Sequence, residues 1–192
     1  METKNVMIVG VGGQGSLLAS KLLGVLLTDE GYDVKVSEVH GMSQRGGSVV
    51  TYVRYGDKVW SPVISAGEAD LIISFEKLEA ARYLRCLKKG GRIVVNAQSI
   101  DPMPVITGAA VYPEDILDRL RALGVAIDEI DALSLAAQAG TAKAANIVLM
   151  GRAARYFGID PEKWTAAIRK LVKPQFVEAN LKAFDLGWRY GE

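Results

Sequence analysis

Gly10-Val11-Gly12-Gly13-Gln14-Gly15 spaces its glycines as G-x-G-x-x-G, straight after the apolar run Val6 to Val11 and straight before a helical run. Glycines at this spacing let a backbone turn tightly and let a phosphate approach the amides without meeting a Cβ. A helix that starts there adds unpaired N–H groups and a partial positive charge. Gly12, Gly13, Gln14 and Gly15 are therefore candidate phosphate-binding residues. The same glycines also suit a strand-to-helix turn that binds nothing, and both readings stand at this point. A nicotinamide site asks for an acidic residue about 20 positions further on, at the end of the second strand. Glu38 is the nearest, but polar residues continue past it to His40 and Arg45, so that pattern fits only in part. No Gly-Lys-Ser/Thr follows the glycines, which excludes a Walker-type loop.

A second constellation runs from Ser37 to Ser48 and reads SEVHGMSQRGGS. It holds the chain's single histidine, His40, together with Ser43, Gln44 and Arg45. Arg45 has the forked donors that suit a phosphate or a carboxylate. His40 can donate or accept a hydrogen bond near neutral pH. Sequence spacing gives neither of them an acidic partner or a nucleophile, so a catalytic role for His40 or Arg45 stands below a binding or interface role for the whole loop. In the plainer reading, His40 satisfies a backbone carbonyl and Arg45 forms an ordinary subunit ion pair.

Other residues at strand ends carry weaker signals. Glu76 contacts a ligand or caps the helix after it, and capping is the better expectation. Asn96 is placed similarly. Cys86 reads as a helical packing residue. Gly140 to Asn146 is rich in small side chains and is expected to lie under the glycine loop or at an interface. Lys143 and Asn146, three apart, could share a face and help to hold an anion.

These residues need a scaffold, and the chain alternates strand-like and helix-like runs. Strands are expected at 6–11, 33–39, 48–55, 69–75, 92–96 and 125–130. Lys58 to Val63 reads as a hairpin return, and Val105 to Val111 as one more strand. Helices are expected at 14–29, at 76–87 with Lys88-Lys89-Gly90-Gly91 as its C-cap, and at 113–123. Ala132 to Phe157 reads as helix broken near Gly140, followed by helices at 161–172 and 174–187. The fold class that follows is α/β, three layers α/β/α, around a largely parallel or mixed Rossmann-like sheet with a helical C-terminal third.

Composition narrows the function. The 192 residues are 49% hydrophobic and 23% charged, with a formal net charge of only +1, so no bulk attraction to nucleic acid or to an anionic membrane is expected. One cysteine forms no internal disulfide and holds no iron–sulfur cluster, and one histidine does not support a His-rich zinc site. The opening METKNVMIVG reads as a buried strand and not as a signal peptide, and no run is long enough to span a bilayer. A cytoplasmic location is the expectation.

GVGGQGSLLASKLLG, SEVHGMSQRGGSVVTYVRYG and ADLIISFEKLEAARYL resemble the gamma-type domain of 2-oxoacid:ferredoxin oxidoreductases. IVVNAQSI, GTAKAANIVLMG and FVEANLKAFDLG continue the likeness from Val6 to Gly187. The pairing of VGGQG with HGMSQRGG is nearer the indolepyruvate type, where this is the beta subunit, than the pyruvate-type gamma subunit. The resemblance implies one gamma-type catalytic domain over 1–192. It implies CoA-dependent oxidative decarboxylation of an aryl 2-oxoacid, with electrons passing to ferredoxin. It also implies a large alpha partner that carries thiamine diphosphate and 4Fe-4S clusters. Gly12, Gly13, Gln14 and Gly15 with the 40–47 loop become the ligand-facing or subunit-facing edge, and coenzyme A becomes the phosphate-bearing guest. An alpha–beta assembly and a homodimer both stay open. The alternatives are another 2-oxoacid:ferredoxin oxidoreductase gamma subunit, a self-sufficient nucleotide-dependent Rossmann oxidoreductase, and a stand-alone ligand-binding regulator.

Overall fold

The computed structural model describes residues 2–41 and 46–191. Among these, six strands form one sheet in the order β2-β3-β1-β4-β5-β6. They are β1 (Lys4–Val11), β2 (Asp33–His40), β3 (Ser48–Gly56), β4 (Ala69–Ser74), β5 (Leu87–Asn96) and β6 (Ala126–Ile130). β1, β4, β5 and β6 pair in parallel, while β3 pairs antiparallel with both β1 and β2.

The central strands are apolar without a break because both faces are covered. Alternate side chains feed two cores. Val6 and Ile8 of β1, Leu71 and Ile73 of β4 and Val94 of β5 point to one face. Met7 and Val9, Ile72, and Ile93 and Val95 point to the other. The first face is covered by α1 (Ser16–Asp29), α5 (Ala132–Gln138), α6 (Ala145–Ala154), α7 (Pro161–Leu171) and α8 (Val177–Trp188). The second is covered by α2 (Lys77–Arg82) and α4 (Ile116–Ala122), with the short α3 (Met103–Ile106) beside them. The layers are therefore α/β/α around a mixed, mostly parallel sheet, and the last third is helical. Truncating a fully buried residue such as Ile8 or Ile72 to Ala would cost about 2–5 kcal/mol.

Three segments depart from expectation. Lys58 to Val63 is not a return strand, because both edges of β3 are already taken by β1 and β2. Instead the Val59 amide donates to Asp33 Oδ2 at 2.9 Å. The helix after Glu76 ends at Arg82, and Lys88 to Gly91 belongs to β5. The register there jumps from Ala69↔Leu87 to Leu71↔Arg92, so these four residues bulge from the ladder, with Gly90 at φ +80°. Finally, Val105 to Val111 forms no strand. Pro102 opens the one-turn α3, and Pro104 brings no N–H to a ladder.

Candidate functional site

The carboxyl ends of β1, β4 and β5 share one rim. β1 sends its connection to β2 on one side, while β4 lies on its other side, so the glycine loop stands where the winding of the sheet reverses. Open α/β sheets bind their ligands at that point. The described ends of the polar segment, Ser37 to Gly41 and Gly46 to Ser48, reach the same rim. β2 does not neighbour β1, because β3 lies between them. The β2–β3 pairing sets His40 opposite Val49, and the β1–β3 pairing sets Val11 opposite Ser48. The backbone then joins the two loops directly: Gly12 N–H donates to Gly47 O at 2.8 Å, and Gly46 N–H to Gly12 O at 3.4 Å.

The glycines differ in what they do. Gly13 and Gly15 hold φ at +102° and +87°, where L side chains are strained. Gly15 is also the N-cap of α1, and a Cβ there would come within 2.6 Å of Asn146 Nδ2. A Cβ on Gly10 would meet Gln14 Oε1 and Phe75 Cβ, both at 2.9 Å. Among the described residues, the amides of Gly13, Gly15, Ser16 and Leu17 have no acceptor. They form a cluster of N–H groups at the positive end of a fourteen-residue helix.

Gln14 turns inward. Its Oε1 accepts from Val11 N–H at 2.7 Å, and its Nε2 donates to Phe75 O at 2.9 Å and to Gln98 Oε1 at 3.0 Å. One side chain thus closes the loop on itself and ties it to the ends of β4 and β5. Asn96 continues the network, donating to Phe75 O at 3.3 Å and accepting from Ala132 N–H at 3.0 Å.

Two clefts flank the loop. One, of about 400 Å³, lies between Gly12, Gly13, Gly15 and Ser16 on one side and Glu38, His40 and Val49 on the other. The second, of about 280 Å³, lies between the loop, the β4 and β5 ends and the α5–α6 junction, with Lys143 and Asn146 in its wall. Asn146 Nδ2 donates to Gly15 O at 3.3 Å, so the small-residue segment does lie against the glycine loop. Lys143, exposed at the edge of this cleft, sets a positive charge near the open amides. His40 is exposed, and its Nδ1 lies 3.1 Å from Gly41 O. Ser43, Gln44 and Arg45 lie outside the described residues.

Glu76 caps α2, accepting from Glu79 N–H at 2.8 Å. Its other oxygen accepts from Ile100 N–H at 3.2 Å and from the Tyr112 hydroxyl. Burial, and then the bond to Glu76, keep the Tyr112 proton on well above the ordinary range. Sequence reasoning missed Glu79, which is 4% exposed. It accepts from Ser48 Oγ and pairs with Arg82 at 3.0 Å. Burial raises its pKa, against the lowering pull of Ser48 and Arg82, and the charge of Glu76 raises it further. The spacing Glu76-x-x-Glu79 at a helix start was the available signal. Cys86 is buried, in a 3-10 turn rather than an α-helix.

The pattern of the family described as pyruvate ferredoxin/flavodoxin oxidoreductase matches residues 5–190. The chain belongs to that family. Its likeness to the indolepyruvate oxidoreductase subunit IorB of Pyrococcus horikoshii is 44% identity, covering 97% of this chain and 95% of the relative. IorB of Archaeoglobus fulgidus is 40% identical, covering 96% and 93%. Among solved structures, the pyruvate oxidoreductase subunit PORC of Thermotoga maritima superposes with a TM-score of 0.73 at 20% identity, covering 98% and 96%. At that identity the superposition establishes the family fold.

Proposed function

We propose that this chain is the small subunit of an indolepyruvate-type 2-oxoacid:ferredoxin oxidoreductase, with residues 1–192 acting as one gamma-type domain. The carrying observation is near-full-length identity of 44% to a protein named as IorB. In this reading the complex converts an aryl 2-oxoacid, coenzyme A and two oxidised ferredoxins into acyl-CoA, carbon dioxide, two reduced ferredoxins and a proton. This chain's own residues do not supply the redox centres. Its one cysteine is buried, and a cluster takes about four cysteine ligands. In this reading thiamine diphosphate and the 4Fe-4S clusters sit on a large alpha partner, as the family likeness implies, and that partner also meets ferredoxin. A cytoplasmic setting accompanies that assignment.

This chain contributes a rim. The open amides of Gly13, Gly15, Ser16 and Leu17, with Lys143 beside them, suit a diphosphate. Coenzyme A is the reactant that carries one. Gly12 and Gln14 hold that loop in shape and His40 stands across the cleft; by residue type and family likeness Ser43, Gln44 and Arg45 are candidate contacts for the ligand or the partner. A self-sufficient nicotinamide enzyme is less well supported. β3 separates β2 from β1, so Glu38 starts about 10 Å from β1, two strand spacings away.

The test is co-purification. Expressed alone, the chain should be colourless and inactive. Expressed with a large thiamine- and cluster-binding chain, it should form a coloured complex that reduces ferredoxin with indolepyruvate and coenzyme A. Gly12→Val in that complex should weaken coenzyme A affinity and turnover together. Unchanged affinity and turnover in Gly12→Val would remove the coenzyme A assignment. A nicotinamide or flavin co-purifying with the lone chain would overturn the subunit reading.

A further inference from the structure

A separate cavity of about 300 Å³ opens at the opposite rim of the sheet. Lys4 starts β1 there, seven residues before Val11, which places the two rims about 23 Å apart at ~3.3 Å per residue. One wall is aromatic. The Tyr32 and Tyr55 rings lie 5.4 Å apart and tilted, and Tyr55 and Phe157 lie 6.2 Å apart and stacked. These rings pack on one another, and what they leave to the cavity is an apolar wall against which a further flat ring can lie.

The cavity also holds two cations, Lys4 and Arg92, both partly buried. Arg92 lies over the Tyr156 ring, 4.7 Å from its centroid. Among the described residues neither cation has a carboxylate partner. The lining carboxylate, Asp70, is already engaged: Oδ2 accepts from Asn5 N–H at 2.9 Å, and Oδ1 faces Lys88 Nζ at 3.3 Å. A half-buried guanidinium without an anion is a group that a bound carboxylate would satisfy with paired hydrogen bonds.

The features select among guests. Inorganic phosphate would use the cations and leave the rings idle. A neutral aromatic would do the reverse. A nucleotide asks for more room, since the cavity is at the lower end of the roughly 300–1,000 Å³ range of small-molecule sites. We infer that this cavity binds a small aromatic carboxylate of one or two rings. The ring lies against Tyr32, Tyr55 and Phe157, and the carboxylate sits on Arg92 and Lys4. This site is distinct from the glycine-loop rim and does not rest on the coenzyme A assignment.

Calorimetric titration of the full-length chain tests it, with phenylacetate and indole-3-acetate as probes and acetate and phenylacetamide as controls. Both aromatic acids should saturate one site, at least about tenfold tighter than either control. Arg92→Gln should weaken phenylacetate about tenfold, and Lys4→Gln several-fold, while phenylacetamide is unaffected. Excess coenzyme A should not displace phenylacetate. Circular dichroism checks that Arg92→Gln is folded; if it is not, Lys4→Gln decides. Equal binding of phenylacetate and phenylacetamide would overturn the inference. So would wild-type affinity in a folded Arg92→Gln or, where that variant does not fold, in Lys4→Gln, or displacement by coenzyme A.

Discussion

Gly12 N–H donates to Gly47 O at 2.8 Å, so the turn after β1 and the entry to β3 are one hydrogen-bonded unit. Gly13, the next residue, has no acceptor for its amide among the described residues. The two amides should therefore exchange with solvent at different rates. Gly12 is expected to be protected at least about tenfold over Gly13 in native-state hydrogen exchange. Adding coenzyme A to the assembled complex should slow Gly13, Gly15 and Ser16, and leave Gly12 nearly where it was. Protection confined to Gly12 at saturating coenzyme A would place the diphosphate elsewhere.

Gln14 makes a different kind of prediction, because its three hydrogen bonds are internal. Gln14→Leu keeps much of the volume but strips the Val11 amide and the Phe75 carbonyl of a partner. Leaving buried polar groups unpaired costs about 1–3 kcal/mol each. Asn96 also donates to Phe75 O, which softens one of the two losses. A net loss of about 2–3 kcal/mol in unfolding free energy is expected from urea denaturation. Gln14→Glu should cost at least as much, since a carboxylate brought to Phe75 O repels where the amide donated.

These two residues show what the sequence could and could not disclose. The glycine loop was legible because its spacing, the strand before it and the helix after it all lie within a few residues of one another. The inward turn of Gln14 was not legible. Its partners Phe75 and Gln98 are 61 and 84 positions away, and no local pattern announces them. Strand positions in the core were readable from apolar runs. The insertion of β3 between β1 and β2 was not, because pairing order is set by the assembled sheet. The aromatic cavity draws Tyr32, Tyr55 and Phe157 from three distant segments, so its existence also waited on the fold.

Glycines far from the rim allow a comparison of magnitudes. α6 and α8 meet through Gly151 and Gly187. A Cβ on Gly151 would stand 2.3 Å from Phe184 O, and one on Gly187 would stand 2.0 Å from Val148 O. Alanine gains about 1 kcal/mol of helix propensity over glycine. Forcing backbone apart costs more, about 1–3 kcal/mol and occasionally beyond. Gly151→Ala and Gly187→Ala should therefore each lower the melting temperature. Gly24 in α1 is the contrast, since its Cβ would meet only Val36 Cγ2 at 3.9 Å. Gly24→Ala should raise stability by about 0.5–1 kcal/mol. Thermal melts of the three variants side by side decide the matter. A stabilised Gly187→Ala would mean that the two helices pack less closely than described.

Glu79 gives the pH dependence of the same scaffold. Its carboxyl is buried in the first turn of α2, and burial raises its pKa above the ordinary 4.5. A raised carboxyl pKa means that the folded chain holds the proton more tightly than the unfolded chain does. Between the ordinary value and the raised one the folded state binds more protons, so this residue's contribution to stability falls as pH rises through that window. Below the window the neutral carboxyl is accommodated without penalty. Above it the fold carries a desolvated charge, eased by Ser48 and by Arg82 at 3.0 Å. Glu79→Gln keeps an acceptor for Ser48 and removes the titration. Urea midpoints measured from pH 4 to pH 8 should show the parent losing stability relative to Glu79→Gln as pH rises. A constant offset across that range would show that Arg82 and Ser48 cancel the cost of burial, and that Glu79 titrates as it does in the unfolded chain.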